Sequence, residues 1–455
     1  MERSKSFHRM AAFIVTSCAA TGTGVASADA VTDWNENLGA IAVAACISPA
    51  PDPFHESRLY AVAHVAVHDA LNAIERRARP YAYDAVAPAG ASPDAAVAAA
   101  AYTVAHHEIP RLPFLFGACT ANALQVTDDR YTAALAAIPD GQAKNDGVAV
   151  GIAAATAILA NRAGDGSDAP FADFAFPQGT QPGEWRFTAI IPFAAAEPWG
   201  NVTPFVLQRP DEFMPEPPYP VSCATPRAPG YTGSCRQYAR DLEDVKNYGG
   251  GGSNLRSPDE TQIALFWMES SPLGWNRIGR DLSPTFGYDL WQNARLFALL
   301  NLALADGYIA SANTKYHYRY WRPETAIQLA DDDGNPDTAG DPNWMPLAPP
   351  TPPVPDYESA HSVAGGAAAE VFRRVFGADQ VKFDSCSTTL PDPAEQCGGA
   401  NEVRRQFTSF SEAAAENGRS RVLVGYHFQN AVNKGIAHGR RIGAEAAKRF
   451  LQPTS

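Results

Sequence analysis

The longest helix pattern in this 455-residue chain runs from Tyr288 to Thr314, and it constrains everything around it. At its C-terminal end or just beyond comes Lys315-Tyr-His-Tyr-Arg-Tyr-Trp-Arg322-Pro323, so a long apolar rod carries fixed cations at its tip. Helix is also the legible pattern elsewhere. Ser57 to Ala78 holds Leu59, Val62, Ala66, Ala70 and Ile74 at helical spacing. Ala-rich segments at about 93–109, 120–138 and 142–164 continue it, because Ala favours helix and permits close packing. Further helices are expected at Asp259–Ser270, Ser359–Phe376 and about Phe428–Phe450, where Gly435 and Gly439 allow close helix contact. No run of alternating strands appears, so the expected class is mainly α.

The breaks between helices carry weaker signals. From Asp165 to Ser234 the pattern gives way to Pro, Gly and aromatic residues, read as a long ordered excursion with short strands. Tyr248 to Gly252 reads as a flexible loop; it lacks the Lys-Ser/Thr ending that would cradle a nucleotide. Asp331, Asp333, Asn335 and Asp337 alternate like a calcium loop, but the Gly falls at the fourth position and no closing Glu follows, so a solvated loop is expected. His64 and His68 share a helix face beside Asp69 without a third ligand, which favours packed histidines over a metal site. His106-His107-Glu108 is read as surface, since adjacent side chains diverge around a helix. A Cys-flanked excursion separates Phe376 from Ala400.

Two later blocks complete the cationic stretch: Glu358-Ser359-Ala360-His361, and Ser420-Arg421 followed after five residues by His427. The inventory suits a tetrahedral or trigonal-bipyramidal oxyanion. Lys315 offers a point charge, and Arg322 and Arg421 offer planar forks matched to paired oxygens. Ser359 can donate its hydroxyl proton, and the backbone N–H groups opening the next helix, Ala360 among them, add donors and a favourable dipole. One histidine can then bond the central atom while the other moves a proton.

In order and spacing these blocks resemble the signature shared by vanadium-dependent haloperoxidases and the type-2 phosphatidic acid phosphatase superfamily. That signature is Lys, six residues, Arg-Pro; then Pro-Ser-Gly-His; then Ser-Arg, five residues, His, three residues, Asp. Glu358 stands here for the Pro, Ala360 for the Gly and Ala431 for the final Asp. The last change is expected to leave His427 without the family's acidic neighbour. Further stretches resemble bacterial members: Arg58…His64…His68-Asp69-Ala-Leu-Asn72, Glu260 to Trp267, Gly274-Trp-Asn-Arg-Ile and His427 to Gly435. The resemblance thus extends from roughly residue 31 to 449.

The resemblance implies a mainly α, helix-bundle fold with long irregular loops and an anion site within 315–435, at one bundle's end. It implies vanadate as cofactor, with His427 bonded to vanadium. Lys315, Arg322 and Arg421 would neutralise the oxygens, Ser359 and the Ala360 amide would complete the cage, and His361 would act as acid–base. Lys315 would also polarise bound hydrogen peroxide. The implied reaction oxidises halide with peroxide to hypohalous acid, which then meets a small organic substrate. A phosphomonoesterase with His427 as nucleophile and His361 as acid uses the same pocket, as does a secreted binding protein with an idle one. Val354, seven residues before His361, lies where family members place an aromatic or imidazole near the halide, so no halide rule transfers.

Compartment is read from the N-terminus and the cysteines. Arg3, Lys5 and Arg9 precede an apolar run from Met10 to about Ala20, and Ala26-Ser27-Ala28 offers a cleavage site. Residues 1–28 therefore read as a signal peptide, the run being too short to span a membrane. Processing at Cys18 to a lipid anchor is the alternative; otherwise the protein is secreted or periplasmic. Six cysteines remain, an even number that suggests disulfides rather than scattered small hydrophobes. The local pairs Cys223–Cys235 and Cys386–Cys397 would leave Cys46–Cys119. Loss of Glu2, Arg3, Lys5 and Arg9 turns a net charge of −13 into −15, which argues against nucleic-acid or anionic-membrane partners. Residues 29–455 are expected to form one large helical domain, and homo-oligomers are left open.

Overall fold

The structure, a computed structural model, describes residues 29–112, 117–223 and 234–454. The signal peptide and Cys18 lie outside the described residues. In chain order the helices are α1 (Ala30–Ala44), α2 (Pro53–Ile74), α3 (Pro93–Glu108), α4 (Gly117–Ala136), α5 (Gln142–Asn161), α6 (Cys235–Gly249) and α7 (Pro258–Phe266). They continue with α8 (Ser271–Leu282), α9 (Leu290–Tyr318), α10 (Pro323–Gln328), α11 (Ala360–Phe376), α12 (Phe410–Leu423) and α13 (Gln429–Arg449). Strand is confined, among the described residues, to two short antiparallel pairs. β1 (Ala172–Asp173) joins β2 (Ala194–Ala195), and β3 (Phe383–Ser385) joins β4 (Arg405–Phe407). The fold is mainly α, as the sequence leads one to expect.

Helix α9 is the axis. Asp289 caps its start in a capping box with Gln292, and its middle is buried almost without interruption from Asn293 to Ala312. A helix apolar all round is stable only inside something, and α2, α11 and α13 pack against it. By length and composition α9 could cross a membrane, but 94% of its apolar window is covered by the protein's own helices. It ends where Arg319 turns into the left-handed region at φ 48°, its N–H still bonded to Lys315 O at 2.8 Å. That turn leaves Lys315 in the last turn of α9 and Arg322 as the residue before α10, whose Pro323 takes the first helical position.

The α11–α13 contact fixes the other half of the site. Gly435, Gly439 and Gly443 form one stripe on α13, and a Cβ on Gly439 would stand 1.9 Å from Val363 O. Only bare backbone lets the two helices approach this far, which presses the start of α13 against Ser359. Boundaries shift modestly from expectation. Helix α2 begins at Pro53 because the Asp52 side chain caps His55 N at 3.1 Å, and it ends at Ile74 rather than Ala78.

Three expectations need correcting. Tyr248 to Gly252 is no flexible loop: Tyr248 and Gly249 end α6, a helix the sequence pattern does not announce, and Gly251 N bonds Met345 O at 3.0 Å. Glu108 is not surface; it is buried and ion-paired to Arg58. The Asp331–Asp337 stretch is only half solvated. Asp333 and Asn335 are buried, with Asn335 Nδ2 bonded to Val221 O and Cys235 O. The histidines of α2 are packed as expected: His64 Nε2 meets Asn35, and His68 Nδ1 meets Asp69. All three cysteine pairs form disulfides, Cys46–Cys119, Cys223–Cys235 and Cys386–Cys397, with Cα separations of 5.8, 5.1 and 5.2 Å.

Candidate active site

Lys315, Arg322 and Arg421 converge although they come from α9, the start of α10 and α12. All three are at most 2% exposed, yet among the described residues none has a carboxylate within ion-pair distance. Their protons go to neutral acceptors instead. Lys315 Nζ donates to Pro355 O at 2.7 Å and Asp356 O at 3.0 Å. Arg322 Nε donates to Val354 O at 2.7 Å and its Nη1 to Tyr426 O at 2.8 Å. Arg421 donates to Ser420 Oγ at 3.0 Å and Trp267 O at 2.6 Å. Burial and mutual repulsion weaken their hold on the proton. Burial, then Arg322, pushes Lys315 well down, and burial lowers both guanidiniums to about 10. Buried cations without counter-charge are costly unless an anion completes them.

The histidines are placed by turns. Gly425 at φ 88° closes α12, and Tyr426 N and His427 N both bond Arg421 O, which makes five residues the spacing needed to turn His427 beside Arg421. His427 Nδ1 lies 2.8 Å from Asp356 Oδ1, and Arg322 Nη1 lies 2.9 Å from its Nε2. A carboxylate accepts and a guanidinium donates, so Nδ1 carries the proton and Nε2 presents a lone pair. Burial and the cations Arg322, Lys315 and Arg421 push this imidazole well below its ordinary value, which keeps it neutral. The expectation that Ala431 leaves His427 without an acid is therefore corrected: Asp356 supplies one from the loop before α11. Burial raises Asp356 to about 7 against the pull of Arg322 and Lys315.

Ser359 caps α11, its Oγ accepting from Ser362, and its N–H donates to Ala431 O at 3.2 Å. Ala360 is the first residue of α11 and is half-buried. His361, in the first turn, is half-buried; its Nε2 approaches Glu269 O at 3.2 Å, which marks that nitrogen as the donor. Burial and Arg421 hold it well below its ordinary value too. Val354 meets the site through its carbonyl, bonded to Arg322, rather than through a polar side chain. Sequence reasoning missed Asp356 and the buried Glu358–His438 pair. The acids of Asp356-Tyr357-Glu358 beside Ser359 were the available signal.

This arrangement can hold a compact oxyanion against a neutral imidazole lone pair, with a second imidazole at the rim to move a proton. Comparisons with known proteins bear on the fold and on sequence likeness. The family model described as "VCPO second helical-bundle domain" matches residues 295–454. Vanadium chloroperoxidase of Curvularia inaequalis is 29% identical over 254 residues, 45% of this chain and 39% of that protein. The chain thus aligns with well under half the length of that relative. A bacterial vanadium-dependent iodoperoxidase superposes with a TM-score of 0.73 at 23% identity, covering 94% of this chain and 97% of the other. A holo-type bacterial vanadium-dependent chloroperoxidase gives 0.68 at 17%, covering 92% and 97%. The chain is similar in sequence to vanadium chloroperoxidase, matches the VCPO second helical-bundle domain over residues 295–454, and shares the fold of the bacterial vanadium-dependent haloperoxidases.

Proposed function

We propose that this protein is an exported vanadate-dependent haloperoxidase, oxidising halide with hydrogen peroxide to hypohalous acid. The observation that carries the reading is the trio of buried cations, none ion-paired to a carboxylate among the described residues, around an Asp356-held, neutral His427. Those residues fit vanadate: three buried cations without a direct ion pair among the described residues leave positive charge that an oxyanion would balance, and His427 Nε2 offers the lone pair. Lys315, Arg322 and Arg421 would hold its oxygens with Ser359 and the Ala360 amide, and His427 would provide the bond to the metal. When bound, vanadate supplies a Lewis-acidic centre that activates peroxide without a change of oxidation state. Asp356 keeps the His427 proton on Nδ1, Lys315 donates toward the reacting oxygen, and His361 exchanges protons at the open side. Export of residues 29–455 as one helical domain, after loss of residues 1–28, accords with six paired cysteines.

A second reading has one specific support: an imidazole held by a carboxylate is also an activated nucleophile. In a phosphomonoesterase His427 would attack phosphorus and His361 would protonate the leaving alcohol. Wild type and Lys315→Met separate the two. Vanadate-loaded wild type should oxidise halide in a peroxide-dependent way. Lys315→Met should lose about 10²–10³-fold in turnover with a smaller loss of vanadate affinity, since Arg322 and Arg421 remain. Phosphomonoester hydrolysis by vanadate-free wild type, with no halide oxidation at any pH, would establish the phosphatase instead.

A further inference from the structure

The loop before α11 is tied to α13 by two carboxylate–histidine bonds. His427, two residues before α13 begins, donates from Nδ1 to Asp356 Oδ1 at 2.8 Å. His438, in the middle of that helix, donates from Nδ1 to Glu358 Oε1 at 2.5 Å. The chemistry above uses the first bond and leaves the second without a role. Glu358 and His438 are at most 2% exposed, and Glu358 Oε2 and His438 Nε2 have no hydrogen-bond partner among the described residues. A buried polar pair satisfied on one side only is a poor way to stabilise a core, where two apolar side chains of similar size do as well or better. Its place in the fold points to another use.

Residues 354–359 hold Lys315 and Arg322 through backbone oxygens and His427 through the Asp356 side chain. Where this loop stands relative to α13 therefore decides where the three donors meet. A single bond, Asp356 to His427, leaves the loop free to pivot. The Ser359 N–H adds a restraint on Ala431 O, but at 3.2 Å it is long. Glu358 lies two residues past Asp356 and reaches a point farther along the same helix, so the two bonds together fix a direction. The far end is firm. Gly439, next to His438, is packed so closely on α11 that a Cβ there would stand 1.9 Å from Val363 O. Gly435, one turn earlier, meets the loop itself, a Cβ there standing 2.8 Å from Ser359 O.

We propose that Glu358 and His438 are positioning residues of the anion site. Their bond holds the 354–359 loop at the angle to α13 that brings Asp356 onto His427 Nδ1 and aims Lys315 and Arg322 at one oxyanion. Neither residue touches the anion. Both act through Asp356, whose bond to His427 loosens when the Glu358 attachment is lost. An apolar pair in their place fills the same space without holding the angle, because burial of apolar surface is non-directional whereas a hydrogen bond is not. The polar character of the pair is thus explained by the geometry it enforces, and its two unpartnered atoms are a cost of that arrangement.

This inference rests on the oxyanion site of the haloperoxidase reading, and its test needs no halide. The double variant Glu358→Met with His438→Leu removes the bond without stranding a buried charge, so its urea midpoint should match or exceed that of wild type. Its Kd for vanadate and for inorganic phosphate should nonetheless rise about 10–100-fold, the usual effect of losing a group that orients a ligand from behind. In 15N-histidine spectra of the anion-free protein, the Nδ1–H signal that His427→Gln removes should shift in the double variant. His438→Asn keeps a side-chain N–H in reach of Glu358, so it should restore both the signal and the affinity, and it carries the test if the double variant folds poorly. Wild-type anion affinity or an unmoved His427 signal in the double variant overturns the proposal, as does a His438→Asn variant that binds as weakly as the double one. Weakened phosphate binding in the double variant of a protein that oxidises no halide sustains the positioning role and places the failure in the haloperoxidase reading.

Discussion

Arg421→Met separates a residue built for an anion from one built for the fold. In the anion-free protein the guanidinium is buried, has no carboxylate partner among the described residues, and sits near Arg322. Burial lowers it from 12.5 to about 10, so its charge costs the folded state about 3 kcal/mol at every pH below about 10. Methionine relieves that cost but leaves Trp267 O without its 2.6 Å donor, a loss of about 1–3 kcal/mol. The two nearly cancel, so the anion-free variant should unfold in urea within about 1–2 kcal/mol of wild type. Anion affinity should behave quite differently. Loss of one buried charged donor costs roughly 2–5 kcal/mol, a 30-fold or greater weakening. Wild type at 100 times its Kd gains about 2.7 kcal/mol from vanadate, and the variant at that concentration should gain about 0.9 kcal/mol or less. The assay is paired urea unfolding with and without vanadate, backed by equilibrium dialysis. A variant badly destabilised without the anion, but with unchanged vanadate affinity, would show Arg421 to be a structural residue and refute the reasoning.

Two further outcomes follow from packing and from burial. Gly439→Ala places a Cβ 1.9 Å from Val363 O, so α13 must retreat from α11; the variant should lose about 1–3 kcal/mol and bind vanadate more weakly, and an unchanged melting temperature and affinity would show that the contact is slack. For Glu56 the folded value near 8 lies above the unfolded 4.5, so its contribution to stability is full below about 4.5 and is lost as pH rises toward 8. Glu56→Gln should therefore gain on wild type by up to about 5 kcal/mol between pH 5 and 9, and a pH-independent difference in urea unfolding would refute the buried acid.

Much of the fold was legible because helices and their caps are local. Asp289 with Gln292, Ser359 before α11 and Pro323 after Arg322 are signals a few residues long, and the structure uses each one. The even cysteine count likewise pointed to disulfides, and the pairing of nearest cysteines, which spacing alone did not force, is the one that forms. What stayed hidden depends on contacts between distant segments. Gly249 reads as loop material, yet a Cβ there would stand 2.6 Å from Gly425 Cα. Glu108 beside two histidines looks solvated until Arg58 arrives from another helix.

The acid of the site shows the same limit most sharply. A family pattern places it four residues after the histidine, one turn along the same helix, where sequence spacing can reveal it. Here that position is Ala431, and its carbonyl accepts the Ser359 N–H instead. The carboxylate comes from Asp356, 71 residues away in sequence, on a loop whose backbone the cations already hold. Val354 O accepts from Arg322, and Pro355 O and Asp356 O accept from Lys315, while the Asp356 side chain accepts from His427. Three consecutive loop residues thereby orient both cations and the imidazole at once. Moving the acid from α13 to this loop ties the lone pair of His427 to the positions of Lys315 and Arg322, so a change to any of the three should be felt by the other two.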